Sequence, residues 1–256
     1  DMALHLVIFA PVALMLGIAT QNKIAKLIYF MAAGMMVVGN MVTQSRGGFL
    51  GLLAVAAVLV WKLGRRQRFK TILIASIITI GFITLAPGNY GKRILSIFVP
   101  SLDPVGSSDA RRESLKSSII VTLRNPLGIG IGNTPIVGVR DHETHNAYTQ
   151  VSSELGWLPL IAYMILLISS LRKLGALERL TYDHENDSWI YYYSIGLQAA
   201  IAGYMVSSFF GSVAYQWYIY YPIAYAVGLR RIYQSRRVEN EAFSEARAAG
   251  FTPQIV

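Results

Sequence analysis

The chain has 256 residues, of which 54% are hydrophobic and 14% charged, against roughly 45 to 50% and about 25% in an average soluble domain. It has a formal net charge of +9 and no cysteine, so disulfide scaffolds and thiolate metal sites are excluded. No nucleic-acid-binding motif accompanies the positive charge, and its apolar residues come in blocks of membrane-spanning length rather than at amphipathic spacing. These features define an all-α polytopic membrane protein whose excess of Lys and Arg marks topology and contacts anionic membrane lipids.

In chain order, the first expected span covers residues 2 to 19. It lacks a basic leader and exceeds a signal-peptide core, so it reads as a membrane helix in a chain whose earlier, N-terminal spans are expected to be missing. Further spans are expected at 25 to 43, 47 to 63 and 71 to 87, making residues 1 to 87 a unit of four transmembrane helices. Each approaches the ~20 apolar residues that a bilayer crossing needs, and backbone amides in hydrocarbon must be satisfied within the segment. Residues 88 to 153 interrupt the pattern with Pro, Gly and Ser clusters and seven Lys or Arg, too polar to cross. Within this large loop, RRESLKSSIIVTL (111 to 123) is expected to lie on the membrane surface as a short amphipathic helix. LGIGIGN (127 to 133) reads as a turn whose amides could face a phosphate. Spans resume at 154 to 171, 189 to 213 and 215 to 232, the transmembrane unit 154 to 232, and a polar cytosolic tail, 233 to 256, closes the chain. About seven transmembrane helices result.

The short loops set the orientation through their Lys/Arg bias. Lys62, Arg65, Arg66, Arg68 and Lys70 fall on one side with Lys23, Lys26, Arg172, Lys173 and Arg179, and Arg230, Arg231, Arg236 and Arg237 follow the last span. That side is cytosolic. The opposite short loops carry Arg46 alone, and long loops translocate largely regardless of charge, so residues 88 to 153 form an outer, periplasmic loop.

Arg46, Arg111, Arg112 and His145 therefore share the outer face. A charge at mid-bilayer costs roughly 2.5 to 3.5 kcal/mol even on the lenient insertion scale, so Arg46 belongs at the interface or turned toward a polar cavity. A snorkelling or headgroup-bound arginine is the plainer alternative, with Gly47 and Gly48 permitting close helix packing. For His145 the plainer alternative is an interfacial or capping histidine. Of the outer carboxylates, Asp103, Asp109, Asp141 and Glu143 read as solvated or paired, whereas Glu113 and Glu154 are candidate orienting groups. His142 and His145 in DHETH stand three apart, one short of a zinc-protease spacing and without a third ligand, so no metal site and no cofactor are expected. No strand-helix unit surrounds Gly128, Gly130 and Gly132, which argues against a dinucleotide site. The Tyr/Trp clusters at 189 to 193 and 215 to 221 read as interfacial belts, and His5 has no supporting motif.

Three ordered blocks, SRGGFLGLL (45 to 53), ARRESLKSSIIVTLRNPLGIGIGN (110 to 133) and HNAYTQVSSELGWL (145 to 158), resemble the O-antigen ligase and polymerase superfamily. The likeness covers roughly residues 40 to 170. The superfamily motif is His, then Asn, Ser or Gln, nine residues, Gly, two residues, and Gly, Thr or Tyr. His145, Asn146 and Gly156 match it, while Pro159 departs at the last position. Arg46 matches the Ser-Arg-Gly arginine, and Arg111 best matches the second arginine, with Arg112 a close competitor.

The resemblance implies a GT-C-like membrane glycosyltransferase of the inner (cell) membrane, with its site facing the periplasm. It implies a glycan donor on polyprenyl (undecaprenyl) diphosphate and lipid A core as acceptor, hence lipopolysaccharide biosynthesis. His145 would be the metal-independent catalytic base, Arg46 and Arg111 or Arg112 would hold the donor diphosphate, and Asn146, Gly156, Glu113 and Glu154 would support them. The chemistry agrees: the guanidinium fork binds phosphate oxygens bidentately, and an imidazole with an ordinary pKa of about 6.5 is substantially neutral near pH 7. An O-antigen or exopolysaccharide polymerase and a protein O-glycosyltransferase share this chemistry. An anion transporter, for inorganic carbon, is the reading from another class; it predicts ionisable residues near mid-membrane, where the expected spans offer only Asn40 and Gln198, both neutral.

Overall fold

The computed structural model describes residues 2–85, 107–137, 145–182 and 187–248. Among these residues there are helices and turns and no strand. In chain order the helices are α1 (Met2–Ala19), α2 (Lys23–Val42), α3 (Arg46–Leu85), α4 (Ser107–Arg124), α5 (Thr134–Val137), α6 (Ala147–Leu155), α7 (Trp157–Thr181), α8 (Ser188–Ser207) and α9 (Tyr220–Ala248). By length and composition, four segments among the described residues suit a membrane crossing: Met2–Ala19, Lys23–Val42, Arg46–Gly64 and Trp157–Thr181.

Helix α8 is the axis of the bundle. Every residue from Ser194 to Ala200 is buried, and α1, α3 and α7 each make their most extensive packing against it. The α3–α8 crossing depends on small residues at four-residue spacing. A methyl at Gly47 would stand 2.9 Å from Phe210 Cβ, one at Gly203 2.6 Å from Val55 Cγ2, and one at Gly51 would overlap the Ser207 hydroxyl. Helices approach this closely where side chains are absent. Ser207 Oγ then donates 2.9 Å to the Gly47 carbonyl, so the contact is polar as well as tight. Helix α2 packs on α1 through few buried residues and leaves Ile24, Leu27, Met31, Met35 and Val42 exposed, the distribution of a helix whose outer side meets hydrocarbon.

Two elements differ from the sequence expectation. Where a loop is expected at 62 to 70, α3 runs unbroken for 40 residues, since nothing between Lys62 and Lys70 is a helix breaker: the stretch is Leu, Arg, Gln, Phe and Lys with one Gly. Where a span is expected at 189 to 213, α8 stops at Ser207. The hydroxyls of Ser207 and Ser208 are spent on the Gly47 and Met205 carbonyls, and Gly211 adopts an extended backbone, so the chain leaves the helix through a short 3-10 turn, Ser208–Phe210. Residues 211 to 216 then run outside helical structure until a second 3-10 turn, Trp217–Ile219, leads into α9.

Helix α4 covers the segment where a short surface helix is expected; it buries Ser118, Val121 and Thr122 and leaves Ile119, Ile120 and Leu123 exposed. Thr122 and Ser152 hydroxyls meet at 3.0 Å, so α4 docks on α6 through small hydroxylated residues. The tail beyond 233 continues α9 to Ala248.

Candidate functional site

The segments at 45 to 47 and 145 to 146, a hundred residues apart in sequence, meet at one end of the bundle. Ser45 caps α3, its hydroxyl accepting the Gly48 N–H at 3.1 Å, and Arg46 is the first residue of that helix. Asn146 caps α6, its Oδ1 accepting the N–H groups of Tyr148 and Thr149 at 2.9 and 3.1 Å. This places His145 just ahead of α6, in the left-handed region with φ 48°. A residue with a Cβ stays there only when its surroundings hold it. Part of the hold is visible, since the His145 N–H donates to Ser212 Oγ at 2.9 Å.

A cavity of about 340 Å³ opens between these elements, lined by Ser45, Gly47, His145, Ser207, Ser212 and Gln216 together with the first turn of α1. Its size falls within the roughly 300–1,000 Å³ of ordinary ligand sites. Arg46 is half-buried and is not itself a lining residue, although its chain neighbours Ser45 and Gly47 are. An apolar groove of about 530 Å³ runs between α1, α2 and α3; Phe49, Leu52 and Leu53 line it, beginning one turn beyond Arg46.

The remaining expected residues are placed as follows. Gly156 separates α6 from α7 at φ 94°, and a methyl there would overlap the Pro126 carbonyl and Leu127. Two demands thus select glycine, a backbone that L side chains rarely adopt and a neighbour with no room. Pro159, where the chain departs from the motif, is the third residue of α7, a first-turn position that tolerates a missing N–H. Gly128, Gly130 and Gly132 have φ of 83°, 95° and 76°, as a tight turn requires. The amides of Ile129 and Gly130 do not face a phosphate; they donate to the Ser153 and Glu154 carbonyls and fasten the turn to the end of α6.

Glu154 is buried, and its Oε1 accepts the Thr134 hydroxyl at 2.7 Å. Arg112 and Glu113 are exposed on α4 and do not line the cavity. Arg111 lies on the same helix, with its side chain outside the described residues, as is that of Asp109. Asp103, Asp141, His142 and Glu143 also lie outside the described residues.

Sequence reasoning missed the cavity wall, Ser207, Ser212 and Gln216, because it assigned them to spans. The polar interruption SSFFGS at 207 to 212 was the available signal. It also missed Glu178, which is buried and receives Lys62 Nζ at 2.6 Å and the Gln198 amide at 2.9 Å. Gln198 is thus one member of a charged cluster rather than an isolated neutral residue.

Helices of spanning length, apolar outward and closing at one end around a polar cavity, define an integral membrane protein with a polar cavity at the end of its bundle. A family model described as O-antigen ligase matches residues 30–164, and the chain belongs to that family, whose members are glycosyltransferase-like ligases or polymerases. The match takes in Arg46, α4, the glycine turn, His145 and Gly156. No curated protein and no solved structure matches the chain.

Proposed function

We propose that the chain moves a glycan from a polyprenyl (undecaprenyl) diphosphate carrier onto lipid A core at the periplasmic face of the bacterial inner membrane. The observation that carries this reading is the convergence of the Ser45–Gly47 and His145 segments on one polar cavity, with an apolar groove lined from Phe49 onward along the same helix. An amphiphile with an anionic head and an isoprenoid chain matches that sequence of environments.

In this reading the acceptor hydroxyl oxygen attacks the anomeric carbon of the donor sugar. The bond from that carbon to the phosphate oxygen breaks, and His145 takes the hydroxyl proton. The polyprenyl diphosphate leaves with the bonding electron pair, its growing charge met by Arg46 and by Arg111 or Arg112 from α4. No step calls for a metal. Serine hydroxyls at 45 and 212 and the Gln216 amide supply hydrogen-bonding capacity suited to sugar hydroxyls.

A polymerase would use the same site with a lipid-linked glycan as acceptor. Lipopolysaccharide banding of a deletion strain separates the two. Loss of long-chain bands with carrier-linked polymer retained is the ligase result; bands carrying a single repeat unit are the polymerase result and overturn the lipid A core assignment.

A further inference from the structure

The stretch by which the chain leaves α8, residues 205 to 212, is hydrogen-bonded to both segments that meet at the cavity. On one side Tyr148, three positions after His145, donates its hydroxyl to the Met205 carbonyl at 2.7 Å. Met205 lies in the last turn of α8, where carbonyls lack a full set of partners within the helix. Asn146 makes the connection from Tyr148 back to His145 stiff, because its side chain accepts the Tyr148 N–H at 2.9 Å. Ser212 adds a second tie on this side by accepting the His145 N–H at 2.9 Å. On the other side Ser207, 1% exposed, donates to the Gly47 carbonyl at 2.9 Å, and Gly47 directly follows Arg46. Both α3 and α6 also pack against the turn Ser208–Phe210 between these anchor points.

We propose that Tyr148 and Ser207 are positioning residues that set His145 against Arg46 across the end of α8. In the proposed reaction the histidine works at the acceptor hydroxyl and the arginine at the leaving diphosphate, on opposite sides of the anomeric carbon. Their separation must therefore be fixed, and packing alone lets helices slide where directional hydrogen bonds do not. Tyr148 does not line the cavity, so its hydroxyl acts through the backbone it holds. Ser207 does line it, but its hydroxyl is committed to the Gly47 carbonyl, an approach open only because Gly47 and Gly51 carry no side chain. The left-handed backbone of His145, φ 48°, adds to the need for such a frame, since a strained residue persists only where its surroundings hold it.

This inference rests on the roles proposed for His145 and Arg46, and the experiment separates the two. Transfer kinetics across pH and thermal unfolding are measured in nanodiscs for Tyr148→Phe, Ser207→Ala, the double variant and His145→Ala. Misplacing a reacting group by about 1 Å costs on the order of 100-fold. Each single variant is expected to lower kcat per folded molecule by about 10- to 100-fold, with donor KM within about twofold of wild type. The acid limb of the kcat profile should stay at the wild-type pH in both, because the base is displaced and not replaced. The double variant should lose little more than the worse single variant, since cutting either tie frees the same separation. A lowered unfolding temperature with unchanged kcat in both single variants would make the ties purely structural and overturn the proposal. Losses in kcat that add in full would also overturn it, as would an acid limb that moves in Tyr148→Phe. If Ser207→Ala fails to fold, Tyr148→Phe decides alone, by kcat and by the acid limb. A harmless His145→Ala sinks the base assignment and this inference with it; a damaging His145→Ala beside silent Tyr148→Phe and Ser207→Ala sinks this inference only.

Discussion

At one end of the bundle Ser45, His145, Ser207, Ser212 and Gln216 face a common cavity, whereas Lys62 and Glu178 close on each other at 2.6 Å with Gln198 completing the cluster. Along α3 the two places are sixteen residues apart, about 24 Å. Both are polar and both join α3 to α8, yet their use differs. In the Lys62 cluster the groups contact one another across three helices, which ties α3, α7 and α8 in register, the best-attested role of buried charge. At the cavity the backbone groups are paired while side chains of mixed hydrogen-bonding capacity border open space. A buried charge by itself therefore says little about function; a polar wall around a void of ligand size says more.

The two places differ most in what they should do when probed. The largest expected effect is all-or-none and concerns which one faces outward. The chain has no native cysteine, so Gly138→Cys and Arg66→Cys variants report cleanly. In intact cells an impermeant maleimide should label position 138 and spare position 66. The opposite pattern would turn the cavity to the cytosol. Next comes the cavity end: Arg46→Ala should lower transfer about 100- to 1000-fold, the loss typical of one preorganised charge stabiliser. Arg46→Lys should not restore it fully, because lysine lacks the bidentate fork. Purified-enzyme kinetics with near-normal turnover for Arg46→Ala would remove this arginine from the mechanism.

Glu178→Ala should show the reverse signature. Breaking a buried pair costs about 3 to 5 kcal/mol. The lower end applies here because the Lys62 side chain keeps 18% of its exposure against 1% for Glu178. Unfolding in detergent should report that loss, while kcat per folded molecule stays close to wild type. A Glu178→Ala variant that is stable and catalytically dead would erase the distinction between the two places.

Local chemistry explains which parts were legible in the sequence. The Ser-Arg-Gly start of α3, the Asn146 cap and Gly156 are each dictated within a few residues, by capping, small size and positive φ, so they can be read from the chain. The Lys62–Glu178 pair spans 116 positions, and periodicity carries no information at that range. The cavity wall was hidden for a different reason: Val213, Ala214 and Ile219 are as apolar as any span residue, and their burial comes from folding over α6 rather than from crossing a bilayer. The docking of α4 on α6 was not legible because hydroxyl pairing, not hydrophobicity, selects it.

The most direct test of the central claim is His145→Ala assayed for transfer beside donor binding, with and without excess chelator. General base catalysis contributes roughly 100- to 10000-fold. Transfer should fall by that range while the variant still inserts and binds carrier-linked donor, and chelation should leave the wild-type rate unchanged. Transfer that survives in His145→Ala, or a wild-type rate that collapses on chelation, would contradict the assignment of His145 as a metal-independent base.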